Sequence, residues 1–238
     1  MPSRNVLARL SGFTYLILIL TGIFGLVYVP SLLIDWSNPA VTVSNIKSSE
    51  FLFRLAIFSE IVCFLTFIIL PLLLYKLLNS VSKTAAFLMA LFSLISAPIT
   101  FINILNKVNV LLLLSGAEYL NGIPQEQLFA QVMYLLAAFN NGTMLSNIFW
   151  GAWLFPLGYL VFKSEFFPKT LGVLLMIGCC GYLIEFIARF LFKITEIPWY
   201  VSMPSSLGEF GICLWLIIMG IKENNLNVRS THDRNITG

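Results

Sequence analysis

The stretch from Asn147 to Arg189, NIFWGAWLFPLGYLVFKSEFFPKTLGVLLMIGCCGYLIEFIAR, limits the fold more than any other. It holds two apolar runs of about 20 residues each, the length that crosses a hydrocarbon core. Between them lie Lys163-Ser164-Glu165 and Pro168-Lys169. Two antiparallel membrane helices joined by a tight polar turn follow from that pattern. The second run ends in Glu185 and Arg189, one turn apart and so on one helix face. Charges at such depth are costly and usually point into a bundle.

The rest of the chain has the composition such a hairpin needs around it. Of 238 residues, 58% are hydrophobic and only 11% charged, whereas a soluble domain carries roughly 25% charged residues. The mean hydropathy is +0.90. The net charge of +3 is spread between apolar runs instead of gathered on a face, which argues against a nucleic-acid partner. All four cysteines, Cys63, Cys179, Cys180 and Cys213, sit within apolar runs and act as small hydrophobes rather than a disulfide framework. The one histidine, His232, lies in the polar tail. The bundle therefore has no histidine for a metal site or an acid–base pair, and neither metal nor cofactor is expected.

The expected fold is an all-α integral membrane protein, a six-transmembrane helical bundle with both termini cytoplasmic, in the cell (cytoplasmic) membrane. Its membrane domain covers residues 1–222, with spans at about 10–34, 50–78, 84–115, 128–162, 169–192 and 203–220. Residues 223–238 form a polar, disordered cytoplasmic tail. The first run, Leu10 to Ile34 behind Arg4 and Arg9, outlasts the roughly 7–15 residues of a signal segment and meets no A-x-A site. It is read as a retained span. Leu128–Phe162 is too long for one untilted span and contains Asn140-Asn141-Gly142, a break signal. The apolar Leu135–Phe139 favours one long helix over two. Pro71, Pro98 and Pro156 are expected to kink their helices, with neighbours re-satisfying the freed backbone. Gly12, Gly22, Gly25, Gly151 and Gly158 offer close-packing points. Arg4, Arg9, Lys76, Lys83, Lys163, Lys169, Lys222, Arg229 and Arg234 fall on one side, which the positive-inside rule makes cytoplasmic.

That topology gathers the remaining polar groups toward the outer half of the bundle. The candidate cluster is Arg54, Glu60, Asn103, Lys107, Asn147, Glu185, Arg189 and Glu209. Three bases face three acids, and buried charges need partners. One reading is a polar cavity opening outward onto a lipid headgroup or small amphiphile. The other is a set of locks between helices, with the charges near helix ends reaching the interface.

The segments ARLSGFTYLI (8–17), LPLLLYKLL (70–78), FWGAWLFPLGYLVFKSEFFPKTLGVLLMIGCCGYLI (149–184) and PSSLGEFGICLWLIIMGIK (204–222) resemble a family of uncharacterised, mainly bacterial membrane proteins, domain of unknown function 4386. Glu209 stands where that family has a glutamate ahead of its W-L-x-x-x-G ending. The resemblance implies a multi-pass membrane fold and leaves activity open.

Three functions remain in view. The first is binding of a lipid or small amphiphile, with membrane lipids as partners. The second is an accessory role packed against another membrane protein. The third is an intramembrane enzyme using glutamate acid–base chemistry. Glu185-x-x-x-Arg189 lacks the second glutamate and the helix-borne histidines of intramembrane metalloproteases, and a Ser-His pair is unavailable. No catalytic residue is assigned.

Overall fold

In hydrocarbon no solvent satisfies a free backbone group, so each apolar run must close its own hydrogen bonds as a helix. The computed structural model describes residues 3–194 and 196–221. The polar tail, with His232 and the basic residues Lys222, Arg229 and Arg234, lies outside the described residues. Among the described residues every regular element is helical. The chain forms α1 (Arg4–Leu33), α2 (Pro39–Ser48), α3 (Glu50–Leu78) and α4 (Lys83–Leu113). It continues as α5 (Gln125–Lys163), α6 (Lys169–Phe192) and α7 (Met203–Ile218).

Five of these, α1, α3, α4, α5 and α6, are long and apolar enough to cross a membrane. The sixth expected span, α7, has 16 residues and reaches only about 24 Å at 1.5 Å per residue. A hydrocarbon core of about 30 Å is longer than that.

Helix starts follow the capping residues. Ser3, Asn38 and Ser82 each accept a hydrogen bond from the backbone N–H three residues on, and Pro39 opens α2. In the loop before α2, Ser37 donates to the Asp35 carboxylate through both its N–H (2.9 Å) and its hydroxyl (2.6 Å). Those bonds hold the Asp35 pKa below the usual carboxylate range.

One end of the bundle, here the near end, gathers the start of α1, the α3–α4 turn, the α5–α6 turn and the end of α7. Arg4 donates to Leu77 O and to Ser80 Oγ, both at 3.3 Å. The Trp215 indole donates to Phe166 O at 3.0 Å, and Ile221 N–H to Asn5 Oδ1 at 3.3 Å. The far end carries α2, the 114–124 segment and the α6–α7 link. Each half has its own apolar core. Tyr15, Trp153, Leu157 and Leu216 lie in the near one, and Val29, Ile46, Phe53 and Leu136 in the far one.

Prolines free carbonyls that other helices then use. Pro71, inside α3, offers no N–H to Phe67 O, and Ser93 of α4 donates its hydroxyl there at 2.5 Å. Pro30 acts on α1, which carries a π turn at Ile23–Tyr28 where Val29 N–H reaches back five residues to Phe24 O. In that spacing the partner of Gly25 O would be Pro30, which has no N–H to give.

The long run in α5 is a single helix of 39 residues, continuous through Asn140-Asn141-Gly142. The break signal fails there because Gly142 serves another purpose. A Cβ at that position would overlap the Asn103 side chain of α4. Asn103 instead donates to Phe139 O (2.8 Å) and Thr143 Oγ1 (3.2 Å). The two interhelical hydrogen bonds of that amide offset the helix propensity that glycine loses.

Candidate functional site

The eight polar residues singled out in the sequence occupy four different places. The deepest is a knot where α1, α3, α4 and α5 meet. Glu60 on α3 is fully buried and pairs through Oε1 with the ammonium of Lys107 on α4, itself 1% exposed. The same ammonium lies 3.4 Å from Gly25 O, the carbonyl that Pro30 leaves free. It also sits 4.0 Å from the centre of the Phe139 ring on α5, a cation–π contact. Gly25 makes the arrangement possible, since a Cβ there would come within 2.7 Å of Glu60 Cγ. Glu60 Oε2 meets no donor among the described residues. Asn103, one turn before Lys107, forms the α4–α5 stitch beside the knot.

Asn147, Glu185 and Arg189 meet at a second place, a cleft of about 490 Å³ between α5 and α6 near the far end. Asn140, Asn141 and Thr143 line its α5 side, and Lys193 closes it. Arg189 Nε lies 3.0 Å from Glu185 Oε1, and both remain partly exposed. Lys193 ends α6 in the left-handed conformation, φ 54°, which turns the chain out of the helix axis at the rim. Two cations, one carboxylate and three amides leave the cleft with one net positive charge.

Glu209 stands apart. Its Oε2 accepts from the Tyr15 hydroxyl at 3.1 Å. No basic side chain lies within 4.0 Å of it among the described residues. It looks into an apolar cavity of about 220 Å³ lined by α1, α3, α5, α6 and α7, with Trp150, Trp153 and Tyr182 among the walls. Arg54, the fourth case, is on the surface, paired at 2.7 Å with Glu50 one turn before it.

Arg54 and Glu209 thus stay outside any shared polar site, while Glu60 and Lys107 share one that is closed. Sequence reasoning did not find Tyr15, Phe139 and Lys193 as partners. Tyr15 and Phe139 look like ordinary core aromatics, and nothing local marks their contacts. Pro30 was a partial signal: in a regular helix it frees the carbonyl of Leu26, and the π turn moves that freed carbonyl to Gly25.

With this geometry in view, relatives can be compared. A family model described as "Domain of unknown function (DUF4386)" matches residues 10–220. The chain belongs to that family. The matched range takes in the DUF4386 residues of all three polar places and of the apolar cavity. A relative from Archaeoglobus fulgidus, described as "Uncharacterized protein", is 35% identical over 149 residues, or 63% of this chain and 74% of the relative. No solved structure matches this chain.

Among the described residues no group of three or more His, Cys, Asp or Glu side chains could hold a metal ion. Besides the Glu185 carboxylate, which is paired with Arg189, the charged and amide side chains of the cleft in this DUF4386 chain are two cations and three asparagines.

Proposed function

We propose that the protein binds the anionic headgroup of a lipid or small amphiphile in the α5–α6 cleft, with the apolar chain left in the bilayer. The carrying observation is the lining itself: Asn140, Asn141 and Asn147 with Arg189 and Lys193 around about 490 Å³, where the two cations outnumber the single carboxylate, Glu185. Amides and guanidinium groups donate in the geometry that carboxylate and phosphate oxygens accept. Leu145 of α5 and Ile184 of α6, each next in sequence to a lining residue, are exposed, and apolar flanks beside a polar pocket fit a ligand with a tail.

In this reading α7 is a short sixth span and the near end faces the cytoplasm. Arg4, Arg9, Lys76, Lys83, Lys163 and Lys169 support that orientation. The cleft then opens to the outer leaflet. Glu60 and Lys107 are structural, since their knot is sealed on every side.

Native mass spectrometry of the detergent-purified protein tests the proposal, with wild type beside Asn147→Ala/Arg189→Gln and beside Arg54→Ala. A lipid retained by wild type and by Arg54→Ala but lost from the double variant is the expected result. Equal retention by all three would overturn the cleft as the site. A stoichiometric co-purified protein in place of lipid would favour an accessory role.

A further inference from the structure

The cavity beside Glu209 is chemically unlike the cleft. Its walls are aromatic: Trp150 stacks on Phe64 with ring centres 5.8 Å apart, and Trp153 meets Phe67 edge-on at 5.1 Å. The Trp150 indole N–H is buried and has no acceptor among the described residues. Into this apolar space comes one carboxylate, Glu209, with a tyrosine hydroxyl on one oxygen and no cation beside it. A carboxylate held among aromatic faces with no base in reach is an uncompensated arrangement. The cavity also has a side door. α1 and α7 press together near Gly12, where a Cβ would come within 2.8 Å of Ile217. Farther along, the space between them is the cavity, and its lining residues Ile23, Ser206 and Phe210 are exposed on the outer surface of the bundle.

We propose that this cavity is a binding site for a small lipophilic cation, an ammonium group carried on an aromatic or alkyl body, entering from the membrane between α1 and α7. The aromatic faces and the carboxylate attract the same charge. The size agrees as well: an apolar cavity of roughly 150 Å³ takes benzene, so about 220 Å³ admits a ring with a compact ammonium substituent. The site is separate from the α5–α6 cleft and has the opposite charge preference, so neither proposal rests on the other.

The test is calorimetric titration of the purified full-length protein with benzyltrimethylammonium, and with phenylmethanesulfonate as the anion of similar size. Wild type should bind the cation saturably with one site per chain and show no saturable binding of the anion. Glu209→Gln, which keeps the shape, should bind the cation roughly tenfold more weakly or worse, the loss expected for one charged partner. Ser206→Phe, which blocks the rim and leaves the carboxylate, should abolish binding. Arg189→Gln in the cleft should leave it unchanged. Absence of saturable cation binding by wild type, or equal binding of cation and anion, would overturn the proposal. So would a Ser206→Phe variant that binds as wild type does, which keeps the proposal falsifiable even if Glu209→Gln fails to fold.

Discussion

Two ion pairs of this protein are made from the same chemistry and differ in how far the bundle closes over them. Glu60 and Lys107 come from different helices, are buried to 0% and 1% exposure, and take in a backbone carbonyl and an aromatic ring as further partners. Glu185 and Arg189 share one helix, sit at a cleft, and remain 24% and 42% exposed. The first pair is enclosed, although Glu60 Oε2 meets no donor among the described residues. The second is held in position yet open. Charge density alone does not mark a binding site; what marks it is whether the surrounding helices close over the charges or leave room.

Breaking the closed pair should have the largest effect. Lys107→Met leaves the Glu60 carboxylate buried without its cation, and about 3–5 kcal/mol of stability should be lost, read as a shift in equilibrium unfolding in mixed micelles. Replacing both, as Glu60→Leu/Lys107→Leu, should recover most of that loss or exceed wild type by about 1–4 kcal/mol. A double variant as unstable as the single would mean that the charge is not the cause. Next comes the backbone approach that admits the knot: Gly25→Ala forces a methyl against Glu60 and the Ala56 carbonyl, with a cost of about 1–3 kcal/mol in the same assay. Ser93→Ala removes the donor that covers Phe67 O over Pro71 and should cost about 1–2 kcal/mol, accompanied by faster amide exchange near Pro71. At the open end of the scale, Arg54→Ala should change stability by less than about 1 kcal/mol, because its pair with Glu50 is solvent-screened. If Arg54→Ala proved as damaging as Lys107→Met, the contrast between closed and open pairs would fail.

The sequence announces this fold through run length. Apolar stretches near the span of a bilayer permit little but helices, and five helices long enough to cross one follow from that constraint among the described residues. The sixth run illustrates its limit. Residues 203–220 read as a span, but the helix stops at Ile218, before Gly220 with its positive φ of 60°, and is too short for the usual core. Site residues are harder to read, since depth along a helix is legible while direction around it is not. Glu60 was expected near the middle of its helix and Lys107 at the outer end of the next, yet the structure pairs them. Arg54 was expected at the same end, yet it turns outward to Glu50. Glu209 has a suitable depth as well, but α7 presents it to Tyr15 and the aromatic walls. Which faces meet depends on helix rotation, and in lipid that is decided by small-residue contacts such as Gly12 on Ile217 and Gly151 on Tyr182, pairings that one chain's sequence does not spell out.

The π turn in α1 has a geometric effect that reaches beyond Gly25. One extra residue within a turn sets every later side chain back by about 100° relative to an unbroken α-helix. Before the turn, Ala8, Tyr15 and Ile19 face the near core; after it, Val29 and Leu33 face the far core. A regular helix through Pro30 would swing one of those two faces away from its partner. The turn is a phase adjuster, letting a single rod mesh with two differently oriented sets of neighbours, and its position would tolerate the gain or loss of one residue better than any other point along α1.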